Sequence, residues 1–160
     1  MRDELHQYIL KSWKTTYGNI ISEKYLNSLD IKKKEIKWKE LIWNWATIDI
    51  AEYWELVGFI DYWISREKTE YDWEIYALYL LQEFQGKWIG KKLFLSAIDA
   101  LIKKGYKSMY LWVLAGNSVR WFYEKMGGGT VLDEKDIEIN GNKLKEIAYG
   151  WKDIVALSKT

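Results

Sequence analysis

The sequence predicts an α/β domain, and three observations predict it. Between Thr47 and Leu81 the apolar residues recur at every second position, the period of half-buried strands. From Glu74 to Gly105 a strand runs into a glycine-containing loop and then into an amphipathic helix. Beyond that, Asn140-Gly141 separates two further alternating runs, and this turn pair is a strong hairpin signal because both of its residues accept positive φ.

From Arg2 to about Trp45 the pattern is helical, first around Leu5, Ile9, Leu10 and Trp13, then through Ile36, Leu41, Ile42 and Trp45. Ser22-Glu23 and Ser28 to Asp30 read as helix starts between these stretches. Lys32 to Lys34 form a solvated face. Strands follow near Thr47 to Tyr53, Val57 to Ile64 and Tyr71 to Leu81, most simply joined as an antiparallel meander. The third is apolar or aromatic on both faces, which places it centrally. In the next helix Leu93, Phe94, Ala97, Ile98, Leu101 and Ile102 form one stripe, with Lys103 and Lys104 at its negative end and Gly105 as its stop. Lys107 to Leu114 is another two-sided strand. Val119, Phe122, Tyr123 and Met126 mark a short helix ending at Gly127 to Gly129. The hairpin strands are Val131 to Ile139 and Lys143 to Trp151. There is no internal repeat, linker or low-complexity segment, so residues 1–160 are expected to form one domain.

Composition narrows the function. A chain of 160 residues buries roughly 70% of its unfolded surface, enough for a full core. With 24 basic and 23 acidic side chains the net charge is +1, so the field that would hold a nucleic acid is absent. The absence of cysteine excludes disulfides, thiolate metal sites and a cysteine nucleophile. No metal site is expected, and the single histidine, His6, reads as a surface or core residue. No apolar run reaches the roughly 18 residues of a membrane span, and the charged start does not resemble a secretion signal. A soluble cytoplasmic protein with no membrane partner is the expectation.

The loop Gln85-Gly86-Lys87-Trp88-Ile89-Gly90 stands where a strand hands over to a helix. Backbone N–H groups and the positive helix end can face an anion together there. A phosphate-binding loop of the G-x-x-x-x-G-K-[ST] type fails, since Gly86 to Gly90 is one residue short and lacks the hydroxyl. A dinucleotide fingerprint fails because Tyr110, Leu111 and Trp112 occupy the place of its acidic residue. A serine hydrolase fails for want of G-x-S-x-G.

These six residues do resemble the Gln/Arg-x-x-Gly-x-Gly/Ala motif of the GNAT family of N-acetyltransferases. Asn117 to Gly127, with the aromatic-Tyr pair Phe122-Tyr123 and a helix-ending glycine, resembles that family's second signature. Lys11 to Leu29 resembles a bacterial subgroup, so the likeness covers nearly the whole chain. It implies one N-acetyltransferase domain with a mixed, mostly antiparallel central sheet flanked by helices, splayed in a V between the fourth and fifth family strands. Acetyl-CoA would lie in that gap, its pyrophosphate on the N–H groups of Gly86, Lys87, Trp88, Ile89, Gly90 and Lys91, beside Gln85. Leu80, Leu81 and Gln82 would offer backbone groups to the pantetheine arm and the acetyl carbonyl. Asn117 would contact the pantetheine end, Tyr123 falls on the usual general acid, and Trp13 and Tyr17 would wall the acceptor site. Asn117, Tyr123, Trp13 and Tyr17 also have bland readings, as a helix cap and as packing residues.

The chemistry suits those residue types. An amine with a pKa near 10.4 must lose a proton, at a cost of about 4.6 kcal/mol at pH 7, before it can attack a thioester. Glu74 is the first candidate base, although it shares an alternating set with Glu70 and Asp72 that also reads as the solvated end of a strand. A phenol near 10 and a thiol near 8.5 are matched well enough for Tyr123 to protonate the departing thiolate. Without cysteine, direct transfer in a ternary complex is expected. The acceptor is an amine of a small molecule, a polyamine or a protein, with a small molecule favoured.

Three departures keep a second reading open. Trp88 stands where the family usually has glycine, and tryptophan does not share the backbone freedom of glycine. Trp54 and Trp73 stand where turn or strand-end glycines are common. The first family strand is missing from the pattern, which leaves an edge open to self-association as a homodimer. The alternative is therefore a non-catalytic or engineered chain of this fold, acting as a CoA-binding or self-associating module.

Overall fold

The computed structural model describes residues 8, 12, 16–18, 20–22, 24, 26, 47–52, 55–65, 67, 69–128, 131–139 and 141–159. The expectations for His6, Trp13, Trp54 and the missing first strand fall wholly or largely outside these residues.

Among the described residues six strands form one sheet: β1 (Thr47–Glu52), β2 (Leu56–Ile64), β3 (Trp73–Leu80), β4 (Met109–Leu114), β5 (Val131–Ile139) and β6 (Asn142–Trp151), in the order β1-β2-β3-β4-β6-β5. Helix α1 (Ile89–Lys103) joins β3 to β4, and α2 (Arg120–Lys125) joins β4 to β5. β3 and β4 are parallel, whereas β6 is antiparallel to both β4 and β5, so the sheet is mixed. The parallel ladder comprises Trp73 with Met109, Glu74 with Tyr110 and Ile75 with Leu111. Both strands run on past it, to Leu80 and Leu114.

The chain divides into two compact units, residues 1–61 with 77–94, and residues 62–76 with 95–160. In the first, Tyr8, Phe59, Ala77, Tyr79 and Leu81 form a buried cluster, with Tyr17, Ile48, Leu56 and Phe84 packed against it. Close approach of β2 to β3 is possible because residue 58 is glycine: a Cβ there would stand 2.7 Å from Leu80 Cδ2 and 3.1 Å from the Tyr79 carbonyl.

The second unit absorbs part of the tryptophan surplus as core. Trp73 is 3% exposed and packs against Tyr62, Trp63 and Tyr106 with centroids 5.0–6.0 Å apart. Trp151 is equally buried and donates its indole N–H to the Met126 carbonyl at 2.7 Å.

The stripe expected on α1 is buried from Leu93 to Leu101. Its end is a Schellman motif, with Gly105 N–H on the Ile102 carbonyl and Tyr106 N–H on the Leu101 carbonyl. Gly105 has φ +87°, which explains why glycine stops this helix. Two expected strands begin later than the pattern suggested, at Trp73 and Met109. The side chain of Asp72 is the reason: its Oδ2 accepts from Lys107 N–H, Ser108 N–H and the Ser108 hydroxyl at 3.0–3.3 Å. Those amides are bound to a carboxylate instead of joining a ladder.

Candidate active site

The strand–loop–helix segment lies within the first unit. Leu81 N–H donates to the Val57 carbonyl at 3.0 Å. Successive strand residues turn their backbone groups to opposite edges, so Leu80 presents its N–H and C=O to the edge away from β2. Gln85 reaches back with Nε2 to the Leu80 carbonyl at 3.2 Å, which accounts for an amide side chain at the first loop position. A 3-10 turn over Gln82–Phe84, not anticipated from the sequence, links β3 to the loop. At the other end Gly90 brings α1 close to β3, since a Cβ there would stand 3.0 Å from Leu80 Cδ1.

Lys92 N–H makes the first helical bond of α1, to the Trp88 carbonyl at 3.0 Å. The amides of Ile89, Gly90 and Lys91 therefore precede any carbonyl that the helix could offer them. The first turn carries no acidic side chain but holds Lys91 and Lys92. A helix start normally gains from a carboxylate of its own; one furnished with lysines and free amides suits an anion brought from outside.

Trp88 is, among the described residues, the only non-glycine with positive φ, at +66°, while Gly86 has +72°. The tryptophan has thus taken the backbone conformation that glycine would adopt. Its side chain is 72% exposed, so the indole does not fold into the core beneath the loop. Left-handed backbone costs a non-glycine residue roughly 1–2 kcal/mol. Against this stands only the exposed contact of Lys91 Nζ, 5.8 Å from the ring centre, worth about 0.5 kcal/mol. Trp88→Gly is accordingly expected to raise stability by about 0.5–1 kcal/mol, read as a higher thermal midpoint. A lower midpoint would show that the indole packs more strongly than its exposure implies.

The remaining described candidates, apart from Tyr17, belong to the second unit. Glu74 is 1% exposed, so it is not the solvated strand end that its sequence neighbours suggested. Glu70 is exposed and paired with Lys152 at 3.0 Å, Asp72 anchors the start of β4, and Glu74 is buried beside Tyr110, whose hydroxyl donates to its Oε2 at 2.9 Å. Tyr110 and its neighbour Ser65, 3.0 Å away, escaped the sequence reading because the first contact spans 36 residues and depends on the parallel register.

Asn117 accepts the Val119 N–H on Oδ1 at 3.0 Å, an Asx-turn that starts the short α2 helix. Tyr123 is 5% exposed and packs against Phe122, Tyr149 and Trp151 at centroid distances of 5.4–6.5 Å. Near it Tyr149 donates to Glu124 at 2.7 Å and accepts from Arg120 Nε at 3.0 Å. Burial, and secondarily the hydrogen bond to the Glu124 carboxylate, raise the Tyr149 pKa. Tyr17, in the first unit, is half-buried with its hydroxyl 2.8 Å from that of Tyr79.

A strand ending in a glycine-bearing loop whose amides are unclaimed among the described residues, followed by a helix start rich in lysine, is an arrangement suited to a phosphate-bearing ligand. The description "Acetyltransferase (GNAT) family" matches residues 7–128. Among relatives, the chain is 37% identical over 147 residues to the uncharacterized N-acetyltransferase YuaI of Bacillus subtilis, covering 91% of this chain and 84% of that one. It is 37% identical over 125 residues to a spermidine N(1)-acetyltransferase of Thermoplasma acidophilum, covering 73% and 75%. Among solved structures, the PaiA N-acetyltransferase of Thermoplasma acidophilum in complex with coenzyme A superposes with a TM-score of 0.66 at 28% identity, covering 94% of this chain and 92% of that one. The chain belongs to the GNAT family and is an acetyltransferase.

Proposed function

We propose that this protein transfers an acetyl group from acetyl-CoA to a primary amine of a small molecule, with polyamines the first acceptors to examine. The observation that carries the reading is the set of amides from Gly86 to Lys91 that are unclaimed among the described residues, beside the side chains of Lys87, Lys91 and Lys92, on a loop that keeps the glycine-like backbone even at Trp88. It is supported by the relative that was crystallised with coenzyme A and by the relative named as a spermidine acetyltransferase.

In this reading the amides of Gly86 to Lys91 hold the pyrophosphate, Gln85 fixes the loop to the end of β3, and Leu80 presents backbone to the pantetheine arm. Gln82 and Leu81 shape that end of the strand, although the Leu81 N–H is already committed to Val57. When bound, acetyl-CoA supplies an activated thioester carbonyl and a thiolate leaving group. Glu74 takes the proton of the acceptor ammonium, Tyr123 gives a proton to the departing sulfur, and Asn117 holds the turn ahead of the helix that carries Tyr123. Without cysteine in the chain, the amine attacks directly with both substrates bound.

No helix among the described residues is long and apolar enough to cross a membrane. Among the described residues the non-catalytic alternative rests on Trp88, since Trp73 is buried as core, and cofactor binding separates the two. Acetyl-CoA at about 100 times its dissociation constant should stabilise the fold by roughly 2.7 kcal/mol and raise the thermal midpoint by several degrees. A parent chain whose midpoint does not move, while that of Trp88→Gly does, would establish a closed cofactor loop and overturn the proposal.

A further inference from the structure

Glu74 stands at the inner end of a line of hydroxyl groups. Tyr110, its partner across the parallel ladder, is 2% exposed and donates to Glu74 Oε2 at 2.9 Å. The Tyr110 hydroxyl also lies 3.0 Å from Ser65 Oγ. Ser65 is half-buried, and its hydroxyl donates to the Glu67 carbonyl at 2.6 Å. The outer end reaches the surface, where Glu67 is exposed and paired with Lys135 at 3.1 Å, and Thr69 Oγ1 stands 3.5 Å from Ser65 Oγ.

Proton counting gives this line a direction. Three contacts in series, Glu74 to Tyr110, Tyr110 to Ser65 and Ser65 to the Glu67 carbonyl, share the protons of two hydroxyls. With Glu74 ionised one contact must lack its proton, because a hydroxyl donates only once. With a proton on Glu74 Oε2 every contact is filled: Glu74 donates to Tyr110, Tyr110 to Ser65, and Ser65 to the carbonyl. The line is complete in the state that Glu74 reaches after taking a proton.

We propose that Tyr110 and Ser65 form the path by which the proton collected at Glu74 leaves for solvent, the two hydroxyls acting as positioning residues through Glu74; this rests on the acetyl-transfer reading above. The acceptor ammonium gives its proton to the Glu74 carboxylate, leaving a neutral amine and a carboxylic acid. The acid proton then passes to the Tyr110 oxygen as the Tyr110 proton passes to Ser65, whose own hydroxyl proton turns away from the Glu67 carbonyl and passes to a water molecule from solvent. Glu74 is again a carboxylate, one hydronium has formed, and rotation of the hydroxyls restores the starting line. Tyr110 never ionises on its own: burial, together with the adjoining Glu74 carboxylate, raises its pKa far above the ordinary value, outweighing the opposing bond from Ser65. It remains a neutral hydroxyl, able to receive and give a proton in one concerted step.

The test compares parent, Tyr110→Phe and Ser65→Ala at saturating acetyl-CoA with spermidine as the acceptor. In Tyr110→Phe, kcat should fall by about tenfold or more with KM for acetyl-CoA little changed. The solvent isotope effect on kcat should rise above that of the parent, and added imidazole should restore part of the lost rate by carrying the proton itself. Ser65→Ala should show the same signature to a smaller extent. The path is overturned if Tyr110→Phe turns over as the parent does, or if its loss is insensitive to imidazole and deuterated solvent, the outcome of a purely structural hydroxyl. A parent that acetylates no amine counts against the acetyl-transfer reading instead. Infrared spectra then decide the line itself: the carboxyl stretch that Glu74→Gln removes should shift to higher frequency in Tyr110→Phe, and an unshifted band would refute the contact.

Discussion

Glu74→Gln is expected to lower kcat for acetyl transfer by about 10²–10⁴-fold, the range over which a positioned general base acts, with little change in thermal midpoint. The two expectations belong together. Gln preserves the volume and planarity of Glu, and its carbonyl can still accept from the Tyr110 hydroxyl that now meets Oε2 at 2.9 Å. A buried carboxylate carries a desolvation cost that its neutral isostere avoids, so a collapse of the fold would not be the cause of lost turnover. The size of the loss should also depend on the acceptor. An amine of ordinary pKa near 10.4 relies on a base for about 4.6 kcal/mol of deprotonation at pH 7, whereas a less basic amine relies on it for less. Steady-state rates with acceptors of graded basicity should therefore converge as the amine pKa falls. If Glu74→Gln changes the midpoint but not the rate, Glu74 is a buried structural carboxylate and the base lies elsewhere.

How far the sequence alone led differs from element to element. Helix α1 was legible to its last turn, because its stripe, its terminal lysines and Gly105 all express one physical demand, an apolar face that must end in positive φ. The cofactor loop was legible as a motif, yet the conformation of Trp88 was not. Glycine announces positive φ by its identity, whereas a tryptophan at φ +66° is imposed by the strand before it and the helix after it. The three carboxylates at 70, 72 and 74 show the limit most plainly. Their alternation says that they share a face, but β3 begins only at Trp73, and the three sort into an exposed ion pair and a clamp on the start of β4 ahead of the strand, and a buried acid within it. The Tyr110 partner of that acid, and Ser65 beside Tyr110, could not be read at all, since period-two patterning describes a strand's faces and is silent on which residue of a distant strand lies opposite.

Tyr123→Phe should separate two roles that its position would otherwise confound. The ring packs against Phe122, Tyr149 and Trp151, and phenylalanine keeps those contacts while removing one oxygen. As a core residue alone, Tyr123 would lose a buried hydroxyl and its hydrogen bonding, a change on the order of 1 kcal/mol in stability with the rate intact. As the proton donor to the departing thiolate, it would lose about 10²-fold or more in kcat at nearly constant KM for acetyl-CoA, because the interaction is made only as sulfur develops charge. The acid role is expected to prevail. The hydroxyl belongs to a six-residue helix set in place by the Asx-turn of Asn117 and closed by Gly127 at φ +83°. Asn117→Ala should then reproduce part of the loss by loosening the start of that helix, whereas changing the tyrosine to phenylalanine removes only the proton. A Tyr123→Phe enzyme that retains the parent's kcat would return Tyr123 to the core and assign protonation of sulfur to solvent.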